Sequence, residues 1–334
     1  MKELLQRLCG TCSVAGHGEE TAEEICRLVA PFCDSAHVDS FGNVIGVRYG
    51  TSGKTVLLDA HMDEIGLQVK EIREDGGLEV IAVGGVDPRI LPCSEVVVHG
   101  KRPLYGVIGA KPPHLLGSGE EKKALSLSHM TVDVGMKHPE EVVRIGDPVT
   151  FLPVFRELGQ GRISSKGLDN KCGVAIALYA MQQLKNCPHT IVFLASTAEE
   201  LGCLGAAAAV RQFVPDLAIV TDVTFGMTPD EEESLCFPLG SGAALCTGAN
   251  IYPVCFKHAL ETAKKCRIPY TVEVEGGDSG TNAGVIQLSG KGVPCLLISV
   301  PLRYMHTMVE TVELSDMEAA ARLMIELAGG DLPC

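Results

Sequence analysis

The chain has 334 residues, 46% hydrophobic and 21% charged, which fits a folded protein of roughly two domains and excludes a disordered or collagen-like chain. Lys and Arg number 28 against 42 Asp and Glu, a net charge of −14. That sign excludes a general nucleic-acid binder, because phosphate contacts need a basic surface. No apolar run, residues 204–210 included, approaches the about 20 residues that span a bilayer, so no membrane partner is expected.

Residues 1–12 read as an amphipathic helix interrupted by Gln6 and Arg7, without the apolar stretch of an export signal. A cytoplasmic location is therefore expected, with the 14 cysteines reduced. Cys9-Gly10-Thr11-Cys12 is the only C-x-x-C; with no second ligand pair and no strand before it, it reads as buried thiols. Residues 55–60 form an apolar strand. Between 67 and 165 the texture changes to short strand-like pieces broken by Gly and Pro, at 67–72, 78–83, 95–98, 107–110, 130–134 and 148–151. Turn signals about every ten residues predict a small β-barrel or sandwich. From Lys171 onward helices and strands alternate. Residues 170–184 carry a broad apolar face, and strands are expected at 190–196, 217–221 and 295–300. The expected fold is α/β: a sheet flanked by helices on both faces, built from 1–66 and 166–334, interrupted by an inserted β domain at 67–165.

The residues just beyond each apolar strand carry the chemistry. Strand 55–60 runs into His61-Met62-Asp63, strand 190–196 into Thr197-Ala198-Glu199-Glu200, strand 217–221 into Asp222, and strand 295–300 leads to His306. Asp169 precedes the helix near Lys171. Ligands of open α/β sheets bind beyond the carboxyl ends of the strands, so parallel neighbours would gather two imidazoles and several carboxylates in one crevice. Bare carboxylates so placed would raise one another's pKa; two divalent cations and a bound hydroxide would balance the charge. The imidazole and carboxylate donors suit zinc, cobalt or manganese. Asp63, two residues from His61, can orient its ring. Each residue alone has a plainer reading: Asp169 as a helix N-cap, Glu199 and Glu200 as a solvated helix start, His61 as a core histidine. The case rests on their shared edge.

Other signals are weaker. The glycine-rich stretch 275–284 lacks the spacing of a dinucleotide fingerprint or P-loop and reads as a loop before a helix. Glu231-Glu232-Glu233 reads as a solvated charge run. No G-x-S-x-G nucleophile motif occurs.

Over nearly its whole length the chain resembles the dinuclear-metal aminopeptidases that include glutamyl aminopeptidase and the tetrahedral aminopeptidases. The motifs are Asp59-Ala60-His61-Met62-Asp63-Glu64-Ile65-Gly66, Gly85-Val86-Asp87-Pro88-Arg89, Gly109-Ala110-Lys111-Pro112-Pro113-His114, Gly167-Leu168-Asp169-Asn170-Lys171, Ala198-Glu199-Glu200-Leu201-Gly202 and Pro301-Leu302-Arg303-Tyr304-Met305-His306. The resemblance implies that Asp169 bridges two metal ions per chain, zinc first, with His61 and Asp222 completing one site and Glu200 and His306 the other. It implies Glu199 as general base with Asp63 supporting His61. Short peptides are the implied substrates, the inserted domain dimerises, and a hollow dodecamer is the implied assembly. Two positions depart from the family: Val86 stands for the usual Trp, and Thr281-Asn282-Ala283 for Thr-Asp-Ala near the substrate. A glycoside hydrolase using Glu199 in an acid–base pair competes, although the chain has no Trp and 4% aromatic residues. A non-catalytic metal-binding or shell protein is a third reading.

Overall fold

The computed structural model describes residues 1–115, 125–229 and 236–333; the expected charge run Glu231-Glu232-Glu233 lies outside the described residues. The chain starts with α1 (Lys2–Cys9), α2 (Glu19–Val29), β1 (Ser35–Val38), β2 (Val44–Arg48) and β3 (Thr55–His61). Six strands come next: β4 (Gly66–Ile72), β5 (Leu78–Val83), β6 (Glu95–His99), β7 (Pro103–Ile108), β8 (Val132–Asp133) and β9 (Pro148–Phe151). They close a barrel in the order β4-β5-β8-β7-β6-β9. Alternation explains its filling: on β7, Leu104, Gly106 and Ile108 face inward, while Pro103, Tyr105 and Val107 face out.

The chain then returns through β10 (Arg156–Leu158), β11 (Arg162–Ser165), α3 (Leu168–Gln183), β12 (Thr190–Ser196), α4 (Leu204–Ala209), β13 (Leu217–Phe225) and β14 (Ala243–Gly248). It finishes with α5 (Pro253–Lys265), β15 (Tyr270–Glu275), α6 (Asn282–Ile286), β16 (Cys295–Arg303), β17 (Glu310–Glu313) and α7 (Leu314–Gly329). Among the described residues the large sheet has eleven strands, ordered β1-β2-β12-β3-β13-β16-β17-β11-β10, with β14 and then β15 branching from β16. Strands β12, β3, β13 and β16 are mutually parallel, so their carboxyl ends share one edge.

Helices cover both faces. Val56, Leu58 and Ala60 of β3 enter the core under α1, α2, α3 and α7. Leu57, between them, enters the opposite core with Ala206 of α4 and Ala283 of α6, as period-2 alternation dictates. The α3 helix is buried nearly all round, which is why its apolar pattern is broad rather than a stripe. No helix among the described residues is long and apolar enough to cross a membrane.

Two boundaries differ from the sequence expectation. Residues 156–165, expected in the insertion, form β10 and β11 and pair into the large sheet through β17; Arg162 Nε meets Glu313 Oε2 at 3.0 Å across that register. Strand β13 runs on to Phe225, because Val223, Thr224 and Phe225 keep pairing with β16. Asp222 therefore sits within a strand rather than at its end.

Candidate metal centre

The shared edge of β12, β3, β13 and β16 carries the predicted residues. His61 closes β3 and is 2% exposed. Its Nε2 lies 3.1 Å from Asp169 Oδ1, 3.7 Å from Asp222 Oδ1 and 3.9 Å from Glu199 Oε2. His306 Nε2 lies 3.3 Å from both Asp169 Oδ2 and Glu200 Oε1. The two oxygens of Asp169 thus face two different imidazoles. Two donor groups result, His61–Asp169–Asp222 and Asp169–Glu200–His306, sharing Asp169, with the ligand atoms of each within 4.8 Å of one another.

Local structure explains each placement. Asp169 and Asn170 have non-helical backbone angles at the start of α3. The N-cap role that Asp169 offered by itself belongs to Asn170: its Oδ1 accepts from Gly173 N at 3.0 Å, and its Nδ2 donates to Thr221 O at 2.7 Å. That frees the Asp169 carboxylate and ties the helix start to the strand that carries Asp222. Asp63 acts on two neighbours. Its main-chain carbonyl meets His61 Nδ1 at 3.1 Å, whereas its carboxylate stands 3.6 Å from that nitrogen. The carboxylate accepts Glu199 N–H at 3.1 Å and Glu200 N–H at 3.2 Å. The turn after β12 is thereby fixed against the end of β3.

Charge tests whether metal ions fit. Burial favours a neutral His61 ring, yet Asp169, Asp222 and Asp63 raise its pKa well above the ordinary range. His306 is raised to about 11 by Asp169 and Glu200. Burial disfavours ionised Asp169, but the two imidazoles hold its carboxyl well below the usual range. The carboxylates concentrate negative charge around both rings. Divalent cations on the same donor atoms satisfy that charge with the rings neutral, the form that ligates. Asp169 Oδ1 is also buried without a well-directed hydrogen bond. A tetrahedral ion with bonds of 2.0–2.2 Å sets its donors about 3.3–3.6 Å apart; the imidazole–carboxylate spacings here run from 3.1 to 3.7 Å around that range. The residues fit the group.

Glu199 stands outside both donor groups. Burial first, then the charges of Asp222 and Glu200, push its carboxyl up to about 7. Its Oε1 accepts from Cys203 Sγ at 3.4 Å, leaving Oε2 toward His61. These groups floor an open cleft of about 570 Å³.

Several contributors were not legible beforehand. Glu310, 2% exposed on β17, accepts Asp169 N–H at 3.1 Å and His306 N–H at 3.0 Å, so one carboxylate ties together the two loops that carry Asp169 and His306. Its spacing of four residues from His306 was the available signal. Behind His61, Glu64 pairs with Lys166 at 2.7 Å and Lys171 at 3.3 Å. All three are buried. Gly85 lets the barrel reach the site: a Cβ there would stand 2.7 Å from His306 Nδ1. Val86, two residues before the 3-10 turn at Pro88–Ile90, packs half-buried on the barrel core. From the glycine-rich loop, Ser279, Gly280 and Thr281 line the cleft. Asn282 does not line it. It is 1% exposed, and its Nδ2 donates to Asp59 Oδ2 at 2.9 Å and Ser196 Oγ at 2.8 Å. The amide fits this place because its neighbour is the buried carboxylate of Asp59.

The chain is similar to known aminopeptidases in sequence and in fold. Residues 42–323 match the model of the family described as M42 glutamyl aminopeptidase. The chain is 33% identical to a lysyl aminopeptidase of Pyrococcus furiosus, covering 96% of this chain and 94% of that one. Among solved structures, the aminopeptidase APDkam598 from the archaeon Desulfurococcus kamchatkensis superposes with a TM-score of 0.93 at 34% identity, covering 99% of this chain and 95% of that one. The Pyrococcus horikoshii TET1 peptidase, described as assembling into a tetrahedron or a large octahedral shell, superposes with a TM-score of 0.87 at 31% identity, with 98% of each chain covered.

Proposed function

The chain belongs to the M42 glutamyl aminopeptidase family and is a metallo-aminopeptidase; on that premise we propose that it removes the N-terminal residue of short peptides at a dinuclear centre with Glu199 as general base. The observation that carries the reading is Asp169, whose two oxygens face His61 and His306 at 3.1 and 3.3 Å. His61, Asp169 and Asp222 would hold one ion, and Asp169, Glu200 and His306 the other, zinc being the natural occupant and cobalt or manganese alternatives. When bound, such a pair supplies Lewis acidity that lowers the pKa of a water and polarises the scissile carbonyl.

The chain's own residues do the rest. Glu199 Oε2 faces the cleft, takes the proton of the attacking water and passes it to the leaving amine. A partly buried carboxylate beside the donor groups is suited to taking up a proton and returning it. The Cys203 thiol on Oε1 fixes which oxygen does so. Asp63 and Glu310 hold the loops so that the donors and the base keep their spacing.

The assembly belongs to the same reading. Tyr105 and Val107, 73% and 48% exposed, and Ile81, 43% exposed, lie on the outer wall of the barrel. Apolar side chains so placed support a homo-oligomer in which the inserted barrel, β4 to β9, forms the dimer contact and dimers build a dodecamer. An active monomer in light scattering would contradict it. The thirteen described cysteines are free thiols, which supports a cytoplasmic location. Phe225 is the one aromatic side chain among the described residues lining the cleft, a poor platform for sugars. Amino-acid anilides assayed with zinc, cobalt and manganese test the reading; no hydrolysis with any of them would refute it.

A further inference from the structure

The end of the cleft away from the metal centre has a chemistry of its own. It is lined by Glu273 and Glu275 of β15, with Asp278 at the rim, and no Lys or Arg lines the cleft among the described residues. None of the three carboxylates is in ion-pair contact with a described cation, whereas Glu64, Glu157, Asp216 and Glu313 elsewhere each have one. Glu273 is held in place: the Thr224 hydroxyl donates to its Oε1, and the Ser299 hydroxyl bears on it as well. Thr224 and Ser299 are 4% and 1% exposed.

Strand geometry places this wall relative to the reaction. Asp222 and Thr224 lie two residues apart on β13, on the same face and about 7 Å apart, and Ser299 is the register partner of Asp222 on β16. Glu273, hydrogen-bonded to Thr224, therefore stands within reach of the first side chain of a peptide whose first carbonyl lies beside Asp222. The flanking surface is apolar, formed by Phe225, Val285 and Leu297. An aliphatic stem ending in a cation suits both surfaces: its methylenes cover the apolar flank and its head reaches the carboxylates. Burial, with the charges of Glu275 and Asp222, raises the Glu273 carboxyl above its ordinary range. A cation beside it would relieve that repulsion.

We propose that Glu273 and Glu275 make this a selective pocket for lysine or arginine as the first residue of the peptide. The proposal rests on the aminopeptidase reading and names the substrate class of the same cleft.

The test uses the metal-loaded, full-length protein with p-nitroanilides of lysine, arginine, norleucine and glutamate. Norleucine has the lysine stem without its charge. The expected ratio of kcat/KM for lysine over norleucine is at least about tenfold, the scale of a hydrogen bond to a charged group, with glutamate slowest. The double substitution Glu273→Gln and Glu275→Gln should bring that ratio close to one. Calorimetry of free lysine against free norleucine on the unsubstituted protein gives a second readout, independent of turnover and of any folding defect in the variant. A ratio at or below one, glutamate as the fastest substrate, or a ratio untouched by the double substitution overturns the proposal. If no anilide is hydrolysed, the aminopeptidase reading falls; tighter binding of lysine than norleucine would then still support the pocket, and equal binding would remove it too.

Discussion

The carboxylate of Asp63 accepts the backbone N–H of Glu199 at 3.1 Å, and its other oxygen takes that of Glu200 at 3.2 Å. One side chain thus sets the position of both the proposed base and a proposed metal ligand, while its main-chain carbonyl steadies the His61 ring. Asp63→Ala should lower turnover by about 10- to 100-fold, the usual cost of losing an orienting partner. Steady-state kinetics at saturating metal checks this. Unchanged kcat and metal affinity would show that the turn holds without it.

Glu199 and Glu200 are neighbours with different surroundings, and only Glu200 meets His306. Glu199→Gln should retain both metal ions yet lose about two to four orders of magnitude in turnover. Glu200→Gln should lose affinity for one ion and recover part of its activity in excess metal. Titrating both variants with metal while following turnover separates the roles. Rescue of the Glu199 variant alone would reverse them.

Gly85 belongs to the loop by which the barrel reaches His306. In Gly85→Ala the new methyl would lie 2.7 Å from Nδ1, well inside contact distance, so the ring must move. The site of Glu200 and His306 should weaken by about 10- to 100-fold, with the site of His61 and Asp222 retained. Calorimetric titration should show one tight and one weak ion; two ions of unchanged affinity would contradict the placement of the loop.

Glu64 sits between two buried lysines. Burial alone would raise its carboxyl, but Lys166 and Lys171 outweigh it and bring the pKa from the ordinary 4.5 down to about 2. A folded-state pKa below the unfolded value means the carboxylate stabilises fully above about 4.5 and loses that contribution as pH falls toward 2. Chemical denaturation should show the loss, on the order of 3 kcal/mol. Glu64→Gln should cost about 3–5 kcal/mol at neutral pH, because two buried ammonium groups remain, and should flatten the acid limb. An identical acid limb in the variant would remove Glu64 as its source.

The edge that gathers the site was legible because the apolar runs that lead into His61, Glu199 and Asp222 need no tertiary information to be seen. Parallel pairing of β12, β3, β13 and β16 then brings those residues together. What escaped depends on contacts between distant segments. Glu310 looks like any acidic residue in a strand until its carboxylate is seen spanning Asp169 and His306. Asn170 looked like a neighbour of the candidate cap and is itself the cap. Asn282 read as a change near the substrate, but the structure buries it against Asp59, 223 positions away. Strands β10 and β11 carry too few residues to signal their partner; pairing with β17 decides it.

The most direct test of the dinuclear centre counts metal ions per chain as the shared carboxylate is removed. The unsubstituted protein, loaded with zinc and freed of excess, should hold two ions per chain and hydrolyse a lysine anilide. Asp169→Asn should weaken both sites together and abolish turnover, because one side chain faces both imidazoles. Two tightly held ions in Asp169→Asn, or a fully active unsubstituted protein with a single ion, would contradict the dinuclear centre.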